Sequence, residues 1–574
     1  MDSPSNKRNH DDSPTSSNSD LTQQGKRPKL NDCQYGEKCF RKNPQHFQEY
    51  SHPHLNDLIE RFGDSKLPDN HPSKIRLSDL QVQIEIVKSL KRTKPKPKPK
   101  PKKDEPESSG ASNSSSSNSV NLEEFVHPTW KLNRGKVKKK LADSKPYRLF
   151  FSAIKDSPKT HSEPLSISFQ ELLDSSLGTI KETLQINFIV ELPWLLAQYH
   201  ITGNRGTPIT ILHGDDPDIK KGSKLPHVTA VYVKSPIPFG HHHTKMMIIA
   251  YTDGSIRVNV LTANLEETDW ENRCQGVWIG PKCRKLPPGS DTTAGDSVTK
   301  FKKNLLQYLS FYKSSTLESW IDRVRKANFS KYRVFFTSSV PGSHIGPALE
   351  TWGHLQIGKI LRENPPVPFS EKTHQEWSVI AQCSSIGSLG KECNDWLCSE
   401  LLSSFSRKVP SLYYPRLYVM YPSFKNVENS HDGLLGGRGL PYTNKVHKNQ
   451  SWLDKRLYQW KSDSKFRSKA MPHIKTYCCV SPNHKFASWF LMTSANLSKA
   501  AFGSVTKKDG ALMIRSYEAG VLFLPQYLID SDVFPLEGSG INEENLILPL
   551  PYDLPLKKYS NNDSVWDYGI YSER

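Results

Sequence analysis

From about Lys145 onward the chain alternates short, dense apolar runs with polar turns, and the runs sort by period. Pro208–Leu212, Thr229–Val233, Lys245–Ile249 and Ile256–Leu261 are compact and rich in β-branched and aliphatic residues, which predicts strands. Ser297–Tyr312 (SVTKFKKNLLQYLSFY) and Asn394–Phe405 repeat apolar residues at three- and four-residue intervals, which predicts helices. Ile186–Tyr199 takes on helical spacing in its later part. Strands alternating with helices predict an α/β architecture, with substantial sheets covered by helices. The first quarter reads differently. Residues 1–31 are rich in Ser, Asn and Asp and hold too little apolar surface to offset the entropy of ordering. A modest apolar-periodic stretch from Leu80 to Leu90 predicts a short helix. Lys-Pro alternation at 94–103 predicts a stiff, extended segment, and the acidic and Ser/Asn tract running to 119 a flexible tether.

Composition sharpens this picture. The 574 residues leave room for about three to four units of ~150 residues. Apolar residues make up 35%, below the roughly 45–50% of a compact domain, in keeping with an unfolded portion. No stretch approaches the ~18–20 unbroken apolar residues of a membrane span. The opening MDSPSNKRNHDD has no apolar signal core. Nine cysteines, an odd number, do not make a disulfide framework, so reduced thiols and a reducing compartment are expected. The net charge is +19, and residues 1–145 alone carry 28 basic against 19 acidic side chains. Such a balance suits a polyanionic partner; charge alone would equally suit an anionic membrane. Lys26-Arg27-Pro28-Lys29 fits a nuclear import signal, and with the other features a nuclear location is expected.

The chemistry lies in an internal repeat. His243-Thr244-Lys245 is followed after 18 residues by Asn264, and His473-Ile474-Lys475 after 20 residues by Asn496; the histidines, like the lysines, are 230 positions apart. Residues i and i+2 of a strand share a face, so each histidine projects with its lysine. A turn at Tyr251–Ser255 folds the first copy back and sets Asn264 opposite His242 or His243, and a turn near Ser481-Pro482-Asn483 does the same for Asn496. A lone His-x-Lys is normally just a half-exposed strand. Two copies with matched asparagines argue for a duplicated fold with a site at its dyad. Two ammonium groups and two carboxamides can hold a phosphodiester without a metal, while one imidazole attacks in line and the other protonates the leaving oxygen.

At these residues the chain resembles the phospholipase D superfamily, and within it the tyrosyl-DNA phosphodiesterase family. The superfamily places Asp five residues beyond its lysine; here Ala250 and Val480 stand there, and the tyrosyl-DNA phosphodiesterases are the branch that lacks the Asp and uses the later Asn. The strings FGHHHTKMM (239–247), CQGVW (274–278), SSIGSLG (384–390), AMPHIKTY (470–477), TSANLSKAAFG (493–503) and RSYEAGVLF (515–523) carry the similarity, which runs from about Tyr147 to Pro555. The resemblance implies that His243 is the nucleophile, forming a phosphohistidine on the 3′ end of DNA, and that His473 is the acid and then the base. It implies that Lys245, Lys475, Asn264 and Asn496 hold phosphoryl oxygens, and that Glu518 orients His243 and Gln275 orients His473. Phe239 would stack on a base, and Ser384, Ser385 and Ser498 would touch DNA phosphates. Read alone, Glu518 is equally a surface charge on a strand, and Ser384 and Ser385 are equally turn or cap residues. His241 and His242 read as structural, and Met246–Ile249 as core strand.

Cys33-x5-Cys39-x6-His46-x5-His52 offers two thiolates and two imidazoles, enough for a closed tetrahedral zinc site. The spacing differs from that of DNA-reading fingers, which keep about twelve residues before the first histidine. CQYGEKCFRKNPQHFQEYSHP resembles the poly(ADP-ribose)-binding zinc finger, which implies ligand contacts from Tyr35, Phe40 and Arg41. An aromatic face stacks adenine and a guanidinium grips pyrophosphate. Position 40 is commonly Tyr in that family, so Phe40 forgoes one hydrogen bond.

The resulting organisation is a polar tail (1–31), a zinc finger (32–56), a largely disordered linker (57–145) and two similar phospholipase D-like α/β domains (146–340 and 341–574). Each domain is expected to be a mixed sheet flanked by helices, with the active site between the two. The implied enzyme is a DNA-repair hydrolase of 3′-phosphotyrosyl bonds, acting on topoisomerase I remnants and other 3′ blocks and leaving a 3′-phosphate. It would need no catalytic cofactor, only structural zinc. Its expected partners are single- or double-stranded DNA with blocked 3′ ends, a topoisomerase-derived peptide and poly(ADP-ribose), with no membrane, and it is expected to be monomeric. The alternatives are a broader 3′-end-processing nuclease and a lipid phosphodiesterase of the same superfamily. A non-catalytic poly(ADP-ribose) adaptor would need a damaged repeat, and both copies are intact.

Overall fold

The computed structural model describes residues 30–33, 36–39, 46–47, 50–62, 80, 83–84, 86–88, 122–215, 225–291, 293–365, 377–406 and 416–571. They fall into two units, divided after Ser115. In the first, β1 (Asn31–Asp32) pairs in parallel with β2 (Tyr50–Ser51), and a helix spans Pro53–Phe62. Leu55 and Leu58 on that helix pack with Phe47, Leu80 and Ile84. The described residues between 80 and 88 are helical, and Gln83 Nε2 donates to Cys39 O at 2.7 Å. Residues beyond the finger therefore complete its core, because a segment too small for a core of its own recruits apolar surface from downstream.

The second unit holds two large sheets. The first contains β3 (Leu149–Ser152), β4 (Ser166–Ile167), β5 (Ile180–Ile189), β6 (Ile209–Asp215), β7 (Val228–Tyr232), β8 (Met246–Tyr251) and β9 (Ile256–Leu261). After the short β10 (Arg273–Cys274), β11 (Gly276–Ile279) completes it, in the order β4-β3-β11-β9-β8-β5-β6-β7. The second sheet begins with β12 (Phe335–Ser339). After β13 (Gly342–His344) come β14 (Ser378–Gln382), β15 (Arg416–Met420) and β16 (Leu457–Tyr458), then β17 (Met471–Pro472), β18 (Thr476–Val480) and β19 (Phe486–Thr493). Next in sequence are β20 (Ser504–Val505), β21 (Leu512–Ile514), β22 (Glu518–Phe523) and β23 (Phe534–Pro535). The order β12-β22-β19-β18-β14-β15-β16 repeats the first sheet strand for strand from β3 onward, with antiparallel and parallel neighbours in the same places. The duplication seen in the motifs is thus a duplication of topology.

β8 and β9 are buried along their whole length because both faces of the first sheet are covered. Met246, Ile248 and Ala250 join a core that continues into the second half through Phe301, Leu305, Trp320 and Val521. Met247, Ile249 and Tyr251 face the other way, into a core closed by the helix Leu192–Ile201.

Several expectations need correction. The segment 57–145 is not wholly linker: Pro128–Asn133 and Val137–Asp143 are helices, and Val137 and Leu141 are buried in the core of the catalytic body. Lysines on their exposed sides mask that pattern. The division at 341 falls too late, since β12, the first strand of the second sheet, starts at Phe335. The helix expected from Ser297 starts at Phe301, where Asp296 Oδ1 accepts from Lys302 N at 2.9 Å and Ser297 Oγ from Phe301 N at 2.9 Å. Asn394–Phe405 divides into a 3₁₀ turn, the π-helical Leu397–Leu402 and a single α turn. Cys393 and Cys398, read as reduced thiols, are joined in a disulfide. The tail 1–29, the Lys-Pro tract and Tyr35, Phe40 and Arg41 lie outside the described residues.

Candidate active site

Neither His-x-Lys triplet lies inside a strand; each is extended backbone delivered by one, immediately before β8 and β18. Each asparagine follows the returning strand, three residues beyond Leu261 and Thr493. The spacing differs between copies for two local reasons. Between the last paired residues the second hairpin loop is one residue longer, and a bulge at Cys479/Val480 adds one more residue on β19. Both asparagines consequently return to the same level.

The halves are stitched at the motifs. His243 N donates to Tyr517 O at 3.0 Å, and His473 N and Ile474 N both donate to Cys274 O at 2.9 Å, beside the parallel pair β10–β17. Each histidine is also oriented by the opposite half. His243 Nδ1 donates to Glu518 Oε2 at 3.0 Å. His473 Nδ1 lies 3.1 Å from Asp269 Oδ2 and 3.3 Å from Gln275 Nε2. The carboxylate takes the ring proton, while the amide, held by Thr262 Oγ1 and the Asp269 carbonyl, lies against the same nitrogen. Both rings therefore keep Nε2 for a ligand. Val277 sits opposite Leu261 and Gly520 opposite Thr493, so Gln275 and Glu518, two residues earlier on equivalent strands, occupy equivalent positions.

Lys245 Nζ donates to His243 O at 2.9 Å, and Lys475 Nζ donates to His473 O. Both lysines are buried. Burial brings Lys245 down to about 8. Burial and then the neighbouring Lys245 charge bring Lys475 well below the usual lysine range. Burial holds His243 at about 4, partly offset by Glu518, and His473 at about 3, partly offset by Asp269. Burial would raise Glu518 and Asp269, but His243 outweighs it for the first and His473 with Arg273 for the second, so both carboxyls sit below their ordinary range. Two buried lysines whose charge is disfavoured by burial, beside two imidazoles that burial holds neutral, make a site that gains from an anionic ligand.

Asn496 Oδ1 accepts from Ser384 N and Oγ at 3.1 Å and from Ser385 N at 3.0 Å, which fixes its amide end as the donor. Ser384 is buried with its hydroxyl committed to Asn496, and Ser498 Oγ accepts from Ala501 N at 3.2 Å as a helix cap. Asn264 Nδ2 lies 3.5 Å from Glu266 Oε1. Phe239 is 85% exposed at φ 61°, a strained pose for a bulky residue.

Sequence reasoning missed Asp269 and the groups behind the histidines. Asp269 also pairs with Arg273 at 2.5 Å. Its one signal was an acidic cluster, Glu266, Glu267, Asp269 and Glu271, directly after Asn264 in a basic chain. Behind His243 runs a hydrogen-bond chain: Thr244 to Tyr308 at 2.5 Å, Tyr308 to Tyr312 at 2.6 Å, and Tyr312 to His242 Nε2 at 2.8 Å. His242 Nδ1 donates to Asn187 O at 3.0 Å. Tyr312 stacks on Tyr517, with centroids 4.9 Å apart and planes at 8°.

Residues 148–560 match the tyrosyl-DNA phosphodiesterase family. The chain belongs to that family. It is an enzyme of the tyrosyl-DNA phosphodiesterase class, 40% identical to tyrosyl-DNA phosphodiesterase 1 of Drosophila melanogaster over 94% of this chain and all of the relative. It is 37% identical to a probable tyrosyl-DNA phosphodiesterase of Caenorhabditis elegans, over 68% of this chain and 83% of the relative. The fold is that of the yeast tyrosyl-DNA phosphodiesterase crystal structure, at TM-score 0.56 and 21% identity over 73% of this chain and 99% of that one. Residues 30–55 match the PBZ domain.

In that domain the ligand atoms of Cys33, Cys39, His46 and His52 lie within 4.8 Å of one another and all four residues are buried. His46 Nε2 is 3.2 Å from Cys39 Sγ and 3.1 Å from His52 Nε2. Bonds of 2.0–2.3 Å to a tetrahedral zinc imply edges of about 3.3–3.8 Å; the separations here, 3.1–3.5 Å, lie close to that range, and two thiolates with two imidazoles are the donor set such an ion takes. His52 Nδ1 donates to Tyr50 O at 3.2 Å, turning Nε2 toward the centre.

Proposed function

We propose that the enzyme hydrolyses 3′-phosphotyrosyl DNA through a phosphohistidine. The observation that carries this reading is the crossed pairing: each imidazole is oriented through Nδ1 by the other half, leaving two Nε2 atoms beside two buried lysines. His243 Nε2 attacks phosphorus, the P–N bond forms as the P–O bond to tyrosine breaks, and His473 gives its proton to the phenolic oxygen. His473 then takes a proton from water as that water attacks phosphorus, releasing His243 and a 3′-phosphate. Lys245, Lys475 and the amides of Asn264 and Asn496 hold the non-bridging oxygens. The phosphodiester also adds negative charge beside His473, which raises it and readies it as an acid. Turnover of matched 3′-tyrosyl, 3′-glycolate and phosphatidylcholine substrates tests the reading; preference for the lipid would overturn it.

The pH dependence follows from the same groups. With a 3′-nitrophenyl phosphodiester, whose phenol leaves without a proton, kcat/KM is expected to fall below about pH 4 as His243 gains a proton and loses its lone pair. It is expected to fall above about pH 8 as Lys245 loses its charge. Initial rates across that range check both limbs.

The finger is proposed to hold zinc and bind poly(ADP-ribose) through Tyr35, Phe40 and Arg41, concentrating the enzyme at signalled damage in the nucleus. Chelation is expected to unfold the finger and abolish polymer binding while leaving turnover of a tyrosyl oligonucleotide unchanged. Amide NMR of the finger resonances and a turnover assay on the same full-length sample check this.

A further inference from the structure

At the other end of β14 and β15 from the histidines lies a groove that the reaction does not use. Arg416, Tyr418, Trp452, Lys455 and Arg456 line it, with Cys393 on one wall, and it encloses about 380 Å³. Val419 sits opposite Leu457 and Met420 opposite Tyr458, so Lys455 and Arg456 lead into β16 beside Leu417 and Tyr418. Leu417 is buried, while Arg416 and Tyr418, two residues apart, share the other face. Tyr418 packs edge-on to Tyr458, with centroids 4.9 Å apart. Among the described residues no carboxylate pairs with Arg416, Lys455 or Arg456; the adjacent Asp454 is taken by His447 at 2.9 Å. Three cations without a carboxylate partner among the described residues, interleaved with aromatic faces, suit a polyanion that also carries stackable rings.

The wall of the groove is tied to the active site through the fold. Trp452 Nε1 donates to Gly390 O at 3.1 Å, and Gln450 bonds Leu389 N and Gly387 O, so this wall is tied to the loop that starts at Ser384 and Ser385 beside Asn496. β14 and β15 run in register from Ser378 and Arg416 to Gln382 and Met420, and Gln382 Nε2 donates to Ile474 O, inside the second His-x-Lys triplet, at 2.7 Å. Four strand residues cover about 13 Å, which is about four nucleotides of stacked strand.

We propose that this groove anchors the nucleic-acid strand several nucleotides from its blocked 3′ end. The proposal rests on the DNA reading of the active site and adds to it a length-dependent contact. The test uses the full-length protein and the triple variant Arg416→Gln, Lys455→Gln, Arg456→Gln, with 3′-phosphotyrosyl oligonucleotides of about 2 and about 16 nucleotides, lengths that stop short of the groove and reach past it. The variant is expected to raise KM for the long substrate about tenfold with kcat unchanged, to leave the short substrate unaffected, and to lower the salt slope of long-strand binding by about two. Anisotropy with the same oligonucleotides lacking tyrosine reads the groove even if turnover fails, which separates this proposal from the catalytic one. Equal losses on both lengths, or none on either, overturn it. So does a variant that keeps long-strand binding while losing free poly(ADP-ribose), which would assign the groove to that polymer.

Discussion

His473→Ala is expected to leave the protein covalently joined to its DNA. A tyrosine phenol has a pKa near 10, several units below that of an alcohol, so its departure in the first step survives loss of the proton donor. Release of the phosphohistidine has no such help: water must be deprotonated as it attacks, and loss of a positioned base costs about 10²- to 10⁴-fold. The nucleophile's own support is untouched, because His243 is oriented by Glu518, not by anything His473 holds. Asp269 also keeps Arg273 as a partner, so the substitution strands no bare carboxylate. With a 5′-labelled 3′-phosphotyrosyl oligonucleotide, a slower band on a denaturing gel should accumulate and persist at neutral pH, then vanish on acid treatment as a P–N bond does. A variant that loses turnover without accumulating the band would remove His473 from the second step.

His243→Ala is the larger loss. It should form neither adduct nor product, with turnover down by about 10⁴-fold or more, the scale seen when a hydrolase loses its nucleophile. The symmetry of the site makes this experiment decisive, because both imidazoles present Nε2 and both have a carboxylate at Nδ1. Geometry alone would allow the roles to be exchanged. The surrounding charges differ: Glu518 answers to His243, whereas Asp269 is shared between His473 and Arg273. An adduct trapped in the His243 variant, and none in the His473 variant, would reverse the assignment.

The repeat was legible in the amino-acid sequence because hairpin geometry ties a triplet on one strand to an asparagine on its neighbour, and turn residues mark where the chain folds back. What escaped had no counterpart to reveal it. Asp269 lies five residues after Asn264, and the matching place after Asn496 is Ala501, so comparing the halves hides it. Val137–Asp143 reads VKKKLAD, with Val137 and Leu141 separated by three lysines, and only the packed structure shows the two facing inward. For Ser384 the resemblance implies a DNA contact, while its burial and its bonds to Asn496 become visible only in the folded chain.

The crossing of partners binds the two halves into one working unit. Each imidazole takes its orientation from a group on the opposite lobe, so a shift of one lobe against the other misaims both rings at once. The lobes meet that demand differently: position 518 is an acid, while position 275 is glutamine and the charge comes from Asp269 beside it.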